Sequence, residues 1–394
     1  MNIDGLRRSW SLLVEQGDQA PLYFYSTLFA ASPEIREMFP TNMAGQRERL
    51  FTALGHTVAN IDQLPRITEY LRSLGRDHRK FAVRADQYPL LGRALAATFQ
   101  HFLGPEWTRE LADDWSSAFA MIAQIMIDAA AESERTSPPW WVGEVIAHER
   151  RTFDVAVLTL RPSYLLPFTP GQSISLSPSA SRAWRYYSPA NAPRPDGTIE
   201  LHVRATPGGL VSSRLVYGTT VGDQLHLAAP VGERLALTQA GDRDLVLVAG
   251  GTGWAPLKAL VEQVAAEGGQ RQVSLYVTAR SRGDLYDSAY LSEAATRYHW
   301  LTVRHLVEPR TGGNGPGGLV GTQEVASGGW RDRHVYLCGG DSMVRATLDS
   351  LRDAGFHEAQ LHHEGLSTGW YGADWRTQVG SSDQRSHAKV THER

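Results

Sequence analysis

Apolar positions recur at spacings of three and four through the first third of the chain and at spacings of two through the middle third. The last third alternates short apolar runs with amphipathic stretches. In the first third Leu6, Trp10, Leu13 and Val14 fall on one helical face, and Trp107, Leu111, Trp115, Phe119, Ile122 and Met126 form a longer stripe. A period near 3.6 belongs to amphipathic helices packed on a core, so residues 1–137 are expected to form an all-α domain. Ser137, Pro138 and Pro139 then stop the last helix, because proline lacks the N–H and its ring clashes with the preceding turn. Beyond them the period becomes two: Phe153, Val155 and Val157 are expected to face one way and Asp154, Ala156 and Leu158 the other, and Ile199, Leu201 and Val203 repeat the pattern. With turn signals at Pro170, Gly171 and at Asp196, Gly197, residues 138–240 predict a small antiparallel β-barrel. Over 241–376, strands are expected at 245–248, 273–277, 301–307 and 335–337, and helices at 256–264 and 343–351. Such alternation implies a doubly wound parallel α/β sheet. Residues 377–394 are polar without an apolar period, and a disordered tail is expected there. The expected fold class is multidomain, α followed by β followed by α/β.

The 394 residues are 42% hydrophobic and 21% charged with a formal net charge of −3, the balance of an ordinary folded chain. That charge gives no reason to expect a nucleic-acid partner or stable membrane association. No segment reads as a signal peptide or as a membrane helix of about 18 apolar residues, and a cytoplasmic protein is expected. The single cysteine, Cys338, excludes an intrachain disulfide framework and a cysteine-ligated zinc or iron–sulfur centre within one chain. Redox chemistry in this chain therefore falls to organic or haem cofactors.

Three stretches carry candidate chemistry. In the barrel, the Tyr187 ring can lie on an isoalloxazine, the Ser188 hydroxyl can bond its reactive nitrogen, and the Arg185 guanidinium can pair with a flavin phosphate. By themselves these residues read more often as an ordinary strand with a snorkelled arginine. The turn at 208–213 strengthens the flavin reading, because the backbone of Gly209 and Val211 and the hydroxyl of Ser212 can cradle a pyrophosphate. In the last third, Gly251, Thr252, Gly253 and Pro256 follow a buried strand and open a helix, the context of a dinucleotide loop. Proline in the first helical turn has no N–H bond to lose. No acidic residue closes the second strand. Arg280, Ser281 and Arg282 stand there instead and can hold a ribose 2′-phosphate, which leaves NADH and NADPH both open. Cys338 ends a later strand at the sheet edge where such folds bind ligands, so it is a candidate to line the nicotinamide site as well as a small buried hydrophobe. Among His56, His78 and His101, His78 is set apart by Arg76, Asp77, Arg79 and Lys80 around it and by Tyr88 and Pro89 downstream. A carboxylate on a haem-ligating imidazole would push electron density onto iron. Glu132 and Glu134 on the closing helix are candidates, and Tyr25 and Gln46 could hydrogen-bond an iron-bound ligand.

In this order the motifs resemble those of the flavohaemoglobins, over roughly residues 1–365. The globin likeness lies in 33–39, 46–51 and 75–95; the flavin-barrel likeness in 168–172, 185–188 and 208–212; the nicotinamide-domain likeness in 251–256 and 336–343. The resemblance implies haem b, FAD and NADH or NADPH as cofactors. It implies His78 as proximal iron ligand with Tyr88 and Glu132 as hydrogen-bond partners, Tyr25 and Gln46 as the distal pair, and Phe39 and Leu50 as apolar haem contacts. It implies nitric oxide dioxygenase activity, with electrons passing from NAD(P)H through FAD to haem, where nitric oxide and dioxygen become nitrate. Alternatives are an oxygen-binding or sensing globin with a built-in ferric-haem reductase, and a flavin-dependent NAD(P)H reductase of small acceptors. Two positions depart from the family pattern: Gly340 replaces a proline after the Cys-Gly pair, and Leu366 replaces the aromatic residue that covers the flavin, for which Trp370 and Tyr371 are candidates.

Overall fold

The computed structural model describes residues 1–178, 183–307, 325–326, 328, 330, 332–364. Leu366, Trp370, Tyr371 and the expected tail lie outside them. The chain folds into two compact units and passes from one to the other between Pro139 and Trp140.

The first unit is helical: α1 (Ile3–Val14), α2 (Gln19–Ala31), α3 (Ala44–Ala59), α4 (Leu64–His78), α5 (Tyr88–Leu103) and α6 (Arg109–Glu134). Local chemistry sets their ends. The Asn2 side chain accepts from the Gly5 N–H at 3.0 Å to cap α1, Thr108 caps α6 through the Leu111 N–H at 3.3 Å, and α4 and α5 each begin with a proline in the first turn. The two apolar stripes meet: Leu6, Trp10, Leu13, Phe99 and Trp115 are buried in one cluster, with Trp107, Leu111 and Phe119 packed against it. A second cluster, with Ile67, Leu71, Tyr88, Ile122 and Met126, joins α4 to α6. Gly75 lets those helices touch, since a Cβ there would lie 2.3 Å from the Met126 carbonyl oxygen.

The second unit holds two sheets. Strands β1 (Trp141–Arg150), β2 (Val155–Pro162), β3 (Ile174–Pro178), β4 (Arg185–Tyr187), β5 (Ile199–Arg204) and β6 (Gln224–Leu227) pair antiparallel in the order β4-β3-β6-β1-β2-β5. A bridge between Pro189 and Leu201 brings the two edges together into a near-closed barrel. Val155, Ala156, Val157 and Leu158 are all buried, while Phe153 sits 81% exposed in the hairpin turn. The alternation expected from Phe153 onward does not hold, because this strand is covered on both faces and the turn claims residue 153. A four-residue helix α7 (Leu210–Ser213) follows β5.

The other sheet is parallel, ordered β11-β10-β7-β8-β9, from β7 (Leu245–Gly250), β8 (Val273–Ala279), β9 (Leu301–Val307), β10 (His334–Cys338) and β11 (Leu361–His363). Side-chain alternation along β7 divides two cores. Leu245, Leu247 and Ala249 join α8 (Trp254–Ala266) and α9 (Ser288–Arg297), while Val246 and Val248 join α10 (Asp341–Asp353). Strand order reverses between β7 and β10, so their carboxyl ends frame the crevice where ligands of doubly wound sheets bind. Among the described residues no helix is long and apolar enough to cross a membrane.

Candidate functional site

In the helical unit, His78 closes α4 and its Nδ1 lies 2.8 Å from the Leu74 carbonyl oxygen. Burial pushes its pKa below the usual histidine value, against the opposing Asp77 charge and Leu74 carbonyl. A neutral imidazole whose Nδ1–H is spent on the backbone presents Nε2 as a metal ligand, which fits haem iron. The segment after it is fixed by charge. Lys80 and Asp77 pair at 2.6 Å with side chains 2% and 8% exposed, and Arg79 donates to Ser133 Oγ at 2.7 Å and to the Ser137 carbonyl at 2.7 Å.

Glu132 is not the partner of His78 in this geometry. Its side chain is 56% exposed and forms an ion pair with Arg72 of α4, and the imidazole is served by Leu74 instead. The sequence spacing placed Glu132 on the right helix, but the guanidinium two turns before His78 captures the carboxylate. Tyr88 is buried beside Leu71 and Met126, and burial pushes its hydroxyl up to about 12.

Tyr25, Gln46, Phe39 and Leu50 come together. Tyr25 is 5% exposed, and the Phe39 ring meets it edge-on with centroids 5.4 Å apart. Leu50 packs on the same cluster. Burial pushes the Tyr25 hydroxyl up to about 12, with a Gln46 hydrogen bond opposing. Arg49 donates to Gln46 Oε1 at 2.8 Å, which turns the amide N–H toward the tyrosine oxygen. The phenol proton is then left to donate elsewhere.

In the barrel, Tyr187 packs against the core cluster and burial pushes its hydroxyl up to about 12. Arg185 is exposed, its Nη1 donating to the Trp184 carbonyl at 2.8 Å. Ser188 Oγ lies 2.8 Å from Ser173 Oγ, which in turn donates to Glu364 Oε1 at 2.9 Å. Burial holds the Glu364 carboxyl above its usual range. Burial also pushes the Cys338 thiol well up, with the Glu364 charge adding to it, so Cys338 is a neutral thiol beside that carboxylate at the end of β10. Ser173 was not visible as a site residue in the sequence, because only strand pairing brings it to Ser188. At the phosphate turn, Ser212 Oγ accepts from the Thr206 N–H at 3.2 Å, Val211 is buried, and a Cβ on Gly209 would lie 2.3 Å from Thr206 Oγ1. This backbone cradle, closed to side chains, fits a flavin pyrophosphate.

The nucleotide loop has the expected build. Gly251 has φ +55, Thr252 lies in a tight turn, and a Cβ on Gly253 would lie 2.2 Å from the Cys338 carbonyl oxygen. Pro256 is buried in the first turn of α8. Arg204 of β5 stands near Gly251, within 3.8 Å of where a Cβ would be. Arg280 is exposed just beyond β8. The acid that the sequence did not supply at the strand end arrives by folding back: Asp284 and Asp287 line a cleft with Gly251, Trp254, Thr278 and Tyr286.

Comparison with known proteins follows this division. A globin model matches residues 22–126, an oxidoreductase FAD-binding domain model residues 142–235, and an oxidoreductase NAD-binding domain model residues 247–349. The flavohemoprotein of Oceanobacillus iheyensis is 27% identical over 90% of this chain and 92% of its own length. The chain is built as the flavohaemoglobins are. The Bacillus subtilis flavohemoprotein is 26% identical over 92% of the chain and 96% of its own length. The crystal structure of the Malassezia yamatoensis flavohemoglobin with bound FAD and heme superposes with a TM-score of 0.74 at 18% identity, covering 92% of this chain and 97% of that one. Haem, FAD and a nicotinamide dinucleotide are accordingly the cofactors of this chain, an NAD(P)H oxidoreductase.

Proposed function

We propose that the chain is a nitric oxide dioxygenase, in which two molecules each of nitric oxide and dioxygen react with one NAD(P)H to give two nitrate ions, NAD(P)+ and a proton. The observation that carries this reading is the buried Tyr25 hydroxyl, held by Gln46 inside an aromatic shell, in a globin unit whose chain continues into FAD-binding and NAD-binding domains. When bound, haem supplies the centre at which the two gases combine, FAD splits a hydride into single electrons, and NAD(P)H supplies the hydride. The chain's own residues do the rest. Tyr25 stays un-ionised at neutral pH and donates its proton to negative charge developing on oxygen, while Gln46 and Arg49 keep that proton pointed outward. Phe29 and Phe39, ring centroids 5.4 Å apart, exclude water and strengthen the donation. His78 keeps Nε2 available through its bond to Leu74. In the reductase unit, Ser188, Ser173 and Glu364 form a hydrogen-bonded line beside the neutral Cys338 thiol, able to orient a flavin edge toward the nucleotide crevice.

Tyr25→Phe tests the reading. Loss of one charge-assisted hydrogen bond worth about 1.5–3 kcal/mol should lower nitrate formation by about tenfold to a hundredfold while anaerobic flavin reduction stays unchanged. Nitrate formation at the unaltered rate would refute it. One observation favours a second reading. Because His78 is served by a backbone carbonyl and Glu132 by Arg72, the imidazole takes a weaker acceptor than a Glu132 carboxylate would be, as suits an oxygen-holding globin whose reductase keeps iron ferrous.

A further inference from the structure

Strand β5 presents Glu200, His202 and Arg204 on one side, toward the nucleotide-binding elements. Glu200 is the anchor. It pairs with Lys258 of α8 and accepts from Arg194 at 3.0 Å. Although burial opposes it, the His202 hydrogen bond and the Lys258 ammonium hold its carboxyl well below the usual range. His202 Nε2 lies 3.0 Å from Glu200 Oε1, and its Nδ1 lies 2.7 Å from the Tyr286 hydroxyl. The carboxylate already has two cations, and an anion can only accept, so Nε2 carries the proton that it receives. In the imidazole tautomer that this proton placement gives, Nδ1 is the acceptor and the Tyr286 O–H donates to it. Tyr286 stands in the cleft beside Gly251 with Asp284 and Asp287, and Asp287 itself accepts from the Trp254 indole at 2.8 Å.

We infer that Glu200 and His202 orient the Tyr286 hydroxyl so that it offers the cleft only lone pairs, which makes Tyr286 a reader of ribose hydroxyls and His202 its positioning residue. The proton that could have pointed into the cleft is committed to His202, so a ligand group there must donate. A ribose hydroxyl donates; a 2′-phosphate has no proton to give and meets three acceptors. The cleft lies past the end of the second strand of the parallel sheet, where the adenosine ribose of a dinucleotide sits in folds of this kind. The inference therefore selects NAD over NADP, and it rests on the nicotinamide role of this unit and not on the nitric oxide reading.

The test is isothermal titration of the full chain, loaded with FAD and haem, with NAD+ and with NADP+. Flavin absorbance checks that each variant is folded. Wild type should bind NAD+ more tightly. Tyr286→Phe removes the acceptor and should weaken NAD+ by about tenfold, the loss of roughly 1.4 kcal/mol, with NADP+ changed far less. His202→Leu frees the Tyr286 proton to turn into the cleft and should shift the NAD+ to NADP+ affinity ratio toward NADP+. His202→Asn, whose side-chain oxygen can accept at the Nδ1 position, should restore the wild-type ratio. Equal weakening of both nucleotides in Tyr286→Phe, or no change in either, overturns the inference for Tyr286. Identical ratios in the Leu and Asn variants overturn it for His202. Because no nitric oxide is present, failure here leaves the dioxygenase reading standing, and the reverse also holds.

Discussion

Replacing Gly75 by alanine isolates the contact on which the position of His78 depends. A Cβ at Gly75 would stand 2.3, 2.7 and 2.8 Å from the carbonyl oxygen, Cα and carbonyl carbon of Met126. All three are backbone atoms of α6, so no rotamer can relieve the clash, and the nearest contact is about 1 Å short of van der Waals separation. Helix α4 must therefore move off α6. By intrinsic propensity the exchange should stabilise a helix by about 1 kcal/mol; overpacking costs about 1–3 kcal/mol and more where backbone must shift. The expected net effect is a loss of about 2 kcal/mol or more, with His78 displaced by its own helix. Denaturant unfolding of the full chain reads the stability, and haem titration at the Soret band reads the ligand position. Gly92→Ala serves as control, because its Cβ would meet the Phe119 ring at 2.9 Å, a side chain that can turn away. If Gly75→Ala matches wild type in both stability and haem uptake, the helix contact is not what places His78.

Other consequences follow from charge and burial. Asp77→Asn removes the carboxylate that pairs with the buried Lys80 ammonium and should cost up to about 3–5 kcal/mol. Burial already holds Lys80 below its ordinary pKa, so the unfolded chain binds the extra proton and the variant should regain stability as pH rises toward the unfolded lysine value, seen as a rising unfolding midpoint. Glu364→Gln keeps an acceptor for Ser173 but removes a buried charge. Since burial raises the Glu364 pKa, wild-type stability falls as pH climbs through the carboxylate range, and the variant should be the more stable at pH 7 with the difference vanishing below about 4.5. Arg72→Gln breaks an exposed ion pair and should change stability by less than about 1 kcal/mol, while leaving Glu132 free to reorient; a shift of the iron–histidine vibration would report a new partner for His78.

The helical stripes and the alternating last third were legible because each buried face repeats at the period of its own element. Leu6, Trp10 and Leu13 are buried as their spacing requires, and the strand expected at 301–307 forms over Leu301–Val307. Helix Ser288–Arg297 and strand Leu361–His363 were not anticipated: the one carries few apolar residues and the other only three positions. The site divides in the same way. Residues inside continuous motifs, such as Gly251 and Gly253 or Tyr187 and Ser188, could be read locally, since backbone freedom and adjacency are local properties. Ser173, His202, Tyr286 and Asp284 could not, because each gains its role from a neighbour far away in the chain. Glu132 shows the converse: helical spacing places a carboxylate on a face, but not the Arg72 that captures it.

Nitrate yield tests the central claim most directly. The full chain, loaded with FAD and haem, is given NAD(P)H, dioxygen and nitric oxide, and nitrate is counted against NAD(P)H consumed. A hydride carries two electrons, so the account predicts two nitrate ions per NAD(P)H, falling sharply in Tyr25→Phe. NAD(P)H oxidation with little nitrate, at a rate indifferent to nitric oxide, would contradict it.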